Sequence, residues 1–114
     1  MKVIIAGSRN IVAYPGLIRR AVEESTFKVS EVVSGTARGI DRLGEIWALE
    51  TNKPIRRFPA DWDNLGKSAG FARNEQMADY ADALIAVWDG QSNGTRHMIS
   101  QMVLRGKPVF TFKP

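Results

Sequence analysis

Val32-Val33-Ser34-Gly35-Thr36-Ala37-Arg38-Gly39-Ile40-Asp41 decides how this chain is read. An apolar strand runs into a Ser-Gly turn, and a helix opens behind it. That order of elements holds phosphate on backbone N–H groups at a helix N-terminus. Two more strands end in a similar way. Ile4-Ile5-Ala6 runs into Gly7-Ser8-Arg9, and Leu84-Ile85-Ala86-Val87-Trp88 runs into Asp89-Gly90 and then Asn93-Gly94-Thr95. Three such turns on one sheet edge point to a site for a nucleotide or similar anion.

The rest of the chain alternates strand and helix. Strands are expected at 2–6, 31–34, 55–58, 83–88 and 108–112. Helices are expected at 15–25, 38–51, 69–80 and 95–105, with a loop at 60–68. Pro15 suits a first helical turn, and Gly106 suits a helix stop. Alternation of this kind gives a parallel sheet covered on both faces. The runs at 2–6 and 83–88 are continuously apolar, as central parallel strands are. Right-handed crossovers favour the doubly wound order 3-2-1-4-5. Ligands in such sheets bind at the carboxyl ends of the strands flanking the switch point, here the first and fourth. The fold class is therefore α/β, a single three-layer domain over residues 1–114 with a five-stranded parallel sheet.

Composition agrees with that class. The chain has 114 residues, 44% hydrophobic and 25% charged, which is ordinary for a globular domain. It has no cysteine, so disulfides, thiolate nucleophiles and cysteine metal sites are excluded. No apolar run approaches the ~20 residues of a membrane span, and a cytoplasmic location is expected. The net charge is +4. Through Arg57 the chain carries ten Lys/Arg against six Asp/Glu, and beyond it six of each. A mildly basic chain tends to associate with anions.

Each candidate residue has a functional and a structural reading. Gly7 and Gly35 let backbone approach a ligand, or simply make tight turns. Ser34, Thr36 and Thr95 offer hydroxyls to phosphate, or cap helices. Asp41 braces the Ser-Gly turn or reaches a ribose hydroxyl, or it merely favours the helix dipole. Arg73, with Asn74 beside it, opens the third helix against its dipole. A bound phosphate would compensate it, and so would Asp61 or Asp63. Trp62, in a polar loop, stacks on a base or anchors the loop. Trp47 and Met77 read as core, and Trp88 as a border of the crevice. His97, the only histidine, reads as a surface or packing residue, since no metal-ligand spacing accompanies it.

Taken together these motifs resemble the SLOG superfamily of Rossmann-like domains, and most closely its small YspA-like branch, found in bacteria and their phages. The resemblance rests on Gly7-Ser8-Arg9, Ser34 through Asp41, Pro59-Ala60-Asp61-Trp62, Ala69 through Met77, and Asp89 through Thr95. It implies a domain for nucleotides or nucleotide-derived ligands of the NAD, ADP-ribose or nucleoside-monophosphate type, with no certain cofactor.

Two relatives of that superfamily imply different activities. The cytokinin-activating phosphoribohydrolases cleave nucleoside monophosphates and carry an Arg-x-x-x-Met helix start, matched by Arg73 and Met77. Their Gly-Gly-x-Gly-Thr-x-x-Glu motif aligns with Gly94-Thr95, but Met98 stands where its catalytic glutamate belongs. Asp89 or Glu75 would then have to substitute, with Asp89 the first acid/base candidate. The DNA-processing protein A family binds single-stranded DNA through a core with a similar Gly-Ser-Arg start. Carried over, Arg9, Arg38 and Arg73 would contact DNA phosphates. The expected ligand set is thus Gly7, Ser8, Arg9, Ser34, Gly35, Thr36, Arg38, Asp41, Asp61, Trp62, Arg73, Asn74, Asp89, Gly94 and Thr95, with no metal. A homo-oligomer, dimer or tetramer, is expected, with helix 38–51 in its interface.

Overall fold

The computed structural model describes residues 1–114. Strands β1 (Lys2–Gly7), β2 (Glu31–Ser34), β3 (Ile55–Arg57), β4 (Ala83–Val87) and β5 (Val109–Phe112) form one sheet. Its order is β3-β2-β1-β4-β5 and every pairing is parallel. The doubly wound order read from the sequence is therefore correct. Helices α1 (Leu17–Ser25), α2 (Ile40–Glu50), α3 (Trp62–Leu65), α4 (Ala69–Tyr80) and α5 (Asn93–Leu104) connect the strands.

Two apolar layers hold this sandwich together. Alternation along each strand sends Val3, Ile5 and Ile85 to one face, where α1 and α2 supply Leu17, Ile18, Ala21, Ile40 and Ala48. Ile4, Val33 and Leu84 go to the other face, where α4 and α5 supply Met77, Ala78, Met98 and Met102. β4 is buried at all five positions, as a strand covered on both sides must be. Met77 is core, as expected.

Several boundaries differ from the sequence reading. α1 begins at Leu17, not Pro15, because Gly16 takes the left-handed conformation (φ 83°) in front of it. α2 begins at Ile40, two residues later than expected, behind Gly39 at φ 82°. Residues 60–68 are not a plain loop. Asp61 caps α3 by accepting from the Asn64 N–H at 3.3 Å, and a 3-10 turn (Gly66–Ser68) follows. α5 starts at Asn93 because Ser92, not Thr95, is its cap. Trp47 lies at the margin of the core and is only partly buried. On α2 the outward side chains include Ile46 and Leu49, which are exposed. No helix is long and apolar enough to cross a membrane.

Candidate functional site

β1 and β4 are hydrogen-bonding neighbours, and their connections leave the sheet to opposite faces. A cleft of about 420 Å³ opens at their carboxyl ends. Gly7 pairs with Val87 across the two strands. The Ser8 N–H then donates to the Val87 carbonyl at 3.0 Å. The Asp89 N–H donates to the Ser8 hydroxyl at 3.2 Å. The β1 and β4 turns are thus tied together before either reaches the cleft.

The cleft has an apolar floor and a polar rim. Ala6, Met77 and Met98 line the floor, while Ser8, Arg9, Arg73, Asn74, Asp89 and Thr95 stand around it. Gly7, Asp41 and Gly94 also line it. Ser34, Gly35, Thr36, Arg38, Asp61 and Trp62 do not.

The Ser-Gly turn is braced by the chain's own side chains. The Ser34 hydroxyl donates to Glu45 at 2.6 Å and accepts from the Thr36 N–H at 3.1 Å. Glu45 in turn pairs with Arg57 at 2.9 Å. This network ties β2, α2 and β3 together. Thr36 sits at φ 63°, uncommon for a β-branched residue. That twist aims the next N–H, of Ala37, at the Asp41 carboxylate at 3.0 Å. In this turn the Thr36 and Ala37 N–H groups are therefore satisfied by the chain's own side chains. The turn forms the wall that carries Asp41.

Arg73 closes that wall. It lies in the second turn of α4, so the conflict with the helix dipole expected at a first turn does not arise. Its guanidinium donates to the Gly35 carbonyl and, at 3.1 Å, to the Asn74 side-chain carbonyl. It faces Asp41, and neither Asp61 nor Asp63 is its partner. A Cβ on Gly35 would lie 2.8 Å from Arg73 Nη1 and 2.9 Å from Asp41 Oδ2. Glycine is needed there for a close approach of the chain's own charged groups. Asn74 passes the network on, donating to the Gly94 carbonyl and to His97 Nδ1, both at 3.2 Å. His97 stacks on Phe71 with ring centroids 4.1 Å apart, and burial lowers its pKa against the opposing pull of Glu75. It packs, as expected.

The two carboxylates of the cleft are in opposite states. Asp89 is exposed and its pKa is lowered, chiefly by N–H bonds from Gln91 at 2.8 Å and Ser92 at 3.0 Å. An anion held this way orders the β4–α5 loop and is a weak proton donor. Asp41 is buried, and burial raises its carboxyl from 3.8 to about 6, against the Ala37 N–H bond and the Arg73 charge. The native carboxyl thus holds its proton more tightly than the unfolded one. Stability should fall as pH rises from about 4 to about 6 and stay lower above that, by about 3 kcal/mol. Asp41→Asn is expected to flatten this fall while keeping an acceptor for Ala37. Urea unfolding at pH 4 and pH 7 reads the difference.

Sequence reasoning did not single out Asn10, Ala37, Gln91 or Ser92 as lining residues. Ser92 had a readable signal, a serine three residues before Thr95 at a helix start. Trp88 is only partly buried, and its indole N–H donates to the Ser92 carbonyl at 3.3 Å. It braces the β4–α5 loop and does not line the cleft.

A five-stranded parallel α/β sheet with a polar cleft at its switch point defines a Rossmann-like doubly wound domain. Residues 1–64 match YAcAr, the YspA, cpYpsA-related SLOG family, and the chain belongs to that family. It is also 38% identical over 87 residues to the Gene 61 protein of Mycobacterium phage D29. That alignment covers 71% of this chain and 70% of the phage protein. No solved structure matches the chain.

Proposed function

We propose that the cleft binds the phosphate-bearing end of a nucleotide or nucleotide-derived ligand. The observation that carries this reading is the convergence of Arg9, Arg73 and Ser8 with the amino end of α5 on one cleft. A Cβ on Gly94 would meet nothing within 4 Å, so that helix end is open to a close-approaching anion. The cleft volume falls within the ~300–1,000 Å³ typical of small-ligand pockets. Family membership supports a nucleotide-related role at that coarse level.

Native mass spectrometry of the gently purified protein, followed by titration with AMP and ADP-ribose, tests the proposal. The expected result is one nucleotide-sized ligand per chain. The same spectrum is expected to show a dimer, because Ile46 and Leu49 leave the outer face of α2 apolar. Binding that instead tightens with oligonucleotide length and weakens steeply with salt would replace this reading with a single-stranded DNA site.

One observation favours a second, enzymatic reading. Asp41 lines the cleft beside Arg73, and its raised carboxyl suits general acid–base catalysis. The lowered carboxyl of Asp89 does not. N-glycosidic cleavage of a nucleoside monophosphate would then run through Asp41, and Asp41→Asn would stop release of free base while Asp89→Asn would not. Chromatographic detection of adenine released from AMP decides this.

A further inference from the structure

We propose that Trp62 and the gap over Gly70 form a stacking slot for the heteroaromatic base of the nucleotide whose phosphate the cleft holds, an inference that rests on the reading above. Trp62 stands at the start of α3 with 54% of its surface exposed. Aromatic side chains of this size normally bury most of their area. Its position relative to the cleft is fixed by Gly70. A Cβ placed on Gly70 would lie 3.5 Å from the far edge of the indole, at Cη2, and 3.7 Å from Arg73 Nη2. One missing side chain therefore separates the aromatic ring from the guanidinium that lines the cleft.

Packing does not require that gap. Both distances are ordinary van der Waals contacts, so alanine would fit. A glycine inside a helix also costs about 1 kcal/mol relative to alanine. The gap has the indole edge at Cη2 on one side and the Arg73 guanidinium on the other, and adjoins the proposed phosphate site. A purine or pyrimidine ring suits this setting: it packs against the indole while its ribose phosphate reaches Arg73. Stacking of this kind is tolerant of base identity, because every base has a π-face. The slot would thus select nucleotides over sugar phosphates without choosing strongly among bases.

The test compares AMP, GMP, CMP and UMP with ribose 5-phosphate by isothermal titration, in wild type and three variants of confirmed fold. Each nucleotide should bind wild type at least about fivefold tighter than ribose 5-phosphate, the lower end of what one stacked base contributes. Trp62→Ala should bring that ratio close to one while leaving ribose 5-phosphate affinity unchanged. Trp62→Phe should keep most of the ratio. Gly70→Ala should lower it while the melting temperature holds or rises, an outcome that a merely structural glycine would not give. The slot is overturned if Trp62→Ala leaves the ratio intact, including the case where it only changes the oligomeric state. It is also overturned if Trp62→Ala weakens nucleotide and ribose 5-phosphate equally, which is the mark of a scaffold residue. Wild type that binds ribose 5-phosphate without preferring nucleotides removes the slot and leaves the phosphate site standing. Wild type that binds neither removes both.

Discussion

Arg73→Ala should weaken nucleotide binding by at least about 30-fold, the equivalent of 2 kcal/mol, and should destabilise the domain at the same time. The first effect follows from geometry. Arg73 lines the cleft from α4 with its guanidinium already oriented by the Gly35 carbonyl and the Asn74 side chain. A cation fixed in this way loses little freedom when an anion arrives. Removing one partner of a desolvated, charge-assisted contact typically costs 2–5 kcal/mol.

The second effect follows from what remains behind. Asp41 would lose the positive charge that pulls its pKa down, so its carboxyl would rise above 6. The Gly35 carbonyl would lose its donor. Each such orphan costs roughly 1–3 kcal/mol. The stability fall that accompanies rising pH should therefore extend to higher pH in Arg73→Ala than in wild type. Arg73→Lys separates the two effects. It restores a charge beside Asp41, and hence most of the stability, but lacks the planar fork that pairs with phosphate. Titration calorimetry with AMP and urea unfolding across pH 4–8 read both quantities.

The fold was legible because its signals are long and redundant. β1 and β4 carry unbroken apolar runs, and helix period and strand period alternate without interruption. The strand order is then the doubly wound one that right-handed crossovers favour. The site was legible only as a neighbourhood. Ser34 and Thr36 are residue types that bind phosphate, and they stand where phosphate-binding residues stand. What sequence does not carry is which donors the chain has already used. Glu45, eleven residues beyond Ser34, takes its hydroxyl, and Asp41 takes the Ala37 N–H. The partner of Arg73 was equally hidden. Asp61 and Asp63 are nearer in sequence, but α3 turns Asp61 toward Asn64, while Asp41 arrives from across the sheet edge. Contacts of that kind are long-range, and local pattern has no access to them.

Gly7→Ala should have the largest effect on stability of any glycine-to-alanine change in this chain. From sequence, Gly7, Gly35 and Gly94 look alike: each follows a strand and invites the same reading, backbone bared for a ligand. Their surroundings separate them. A Cβ on Gly7 would lie 2.1 Å from the Val87 carbonyl oxygen and 2.8 Å from Ile40 Cγ1. The first of these is backbone in the adjacent central strand, and it is also the acceptor of the Ser8 N–H. No rotamer change relieves the clash, so β1 and β4 must part at their carboxyl ends. That would break the Ser8 and Asp89 ties as well. Overpacking that side chains can absorb costs about 1–3 kcal/mol. A clash that displaces paired strands should exceed it, at roughly 4 kcal/mol or more. For a domain of this size that lowers the melting temperature by about 15 °C, or leaves the chain insoluble. Gly94→Ala is the control that tells glycine for folding from glycine for binding. Its Cβ meets nothing within 4 Å and sits in the first turn of α5. The variant should melt no lower than wild type, and by helix propensity up to about 1 kcal/mol more stably. It should nevertheless bind AMP more weakly, because the added methyl stands on the lining of the cleft. Calorimetric melting of both variants, with AMP titration of Gly94→Ala, checks the contrast. Equal loss of stability in the two would mean that the α5 amino end is packed rather than open, and the phosphate site would have to lie elsewhere.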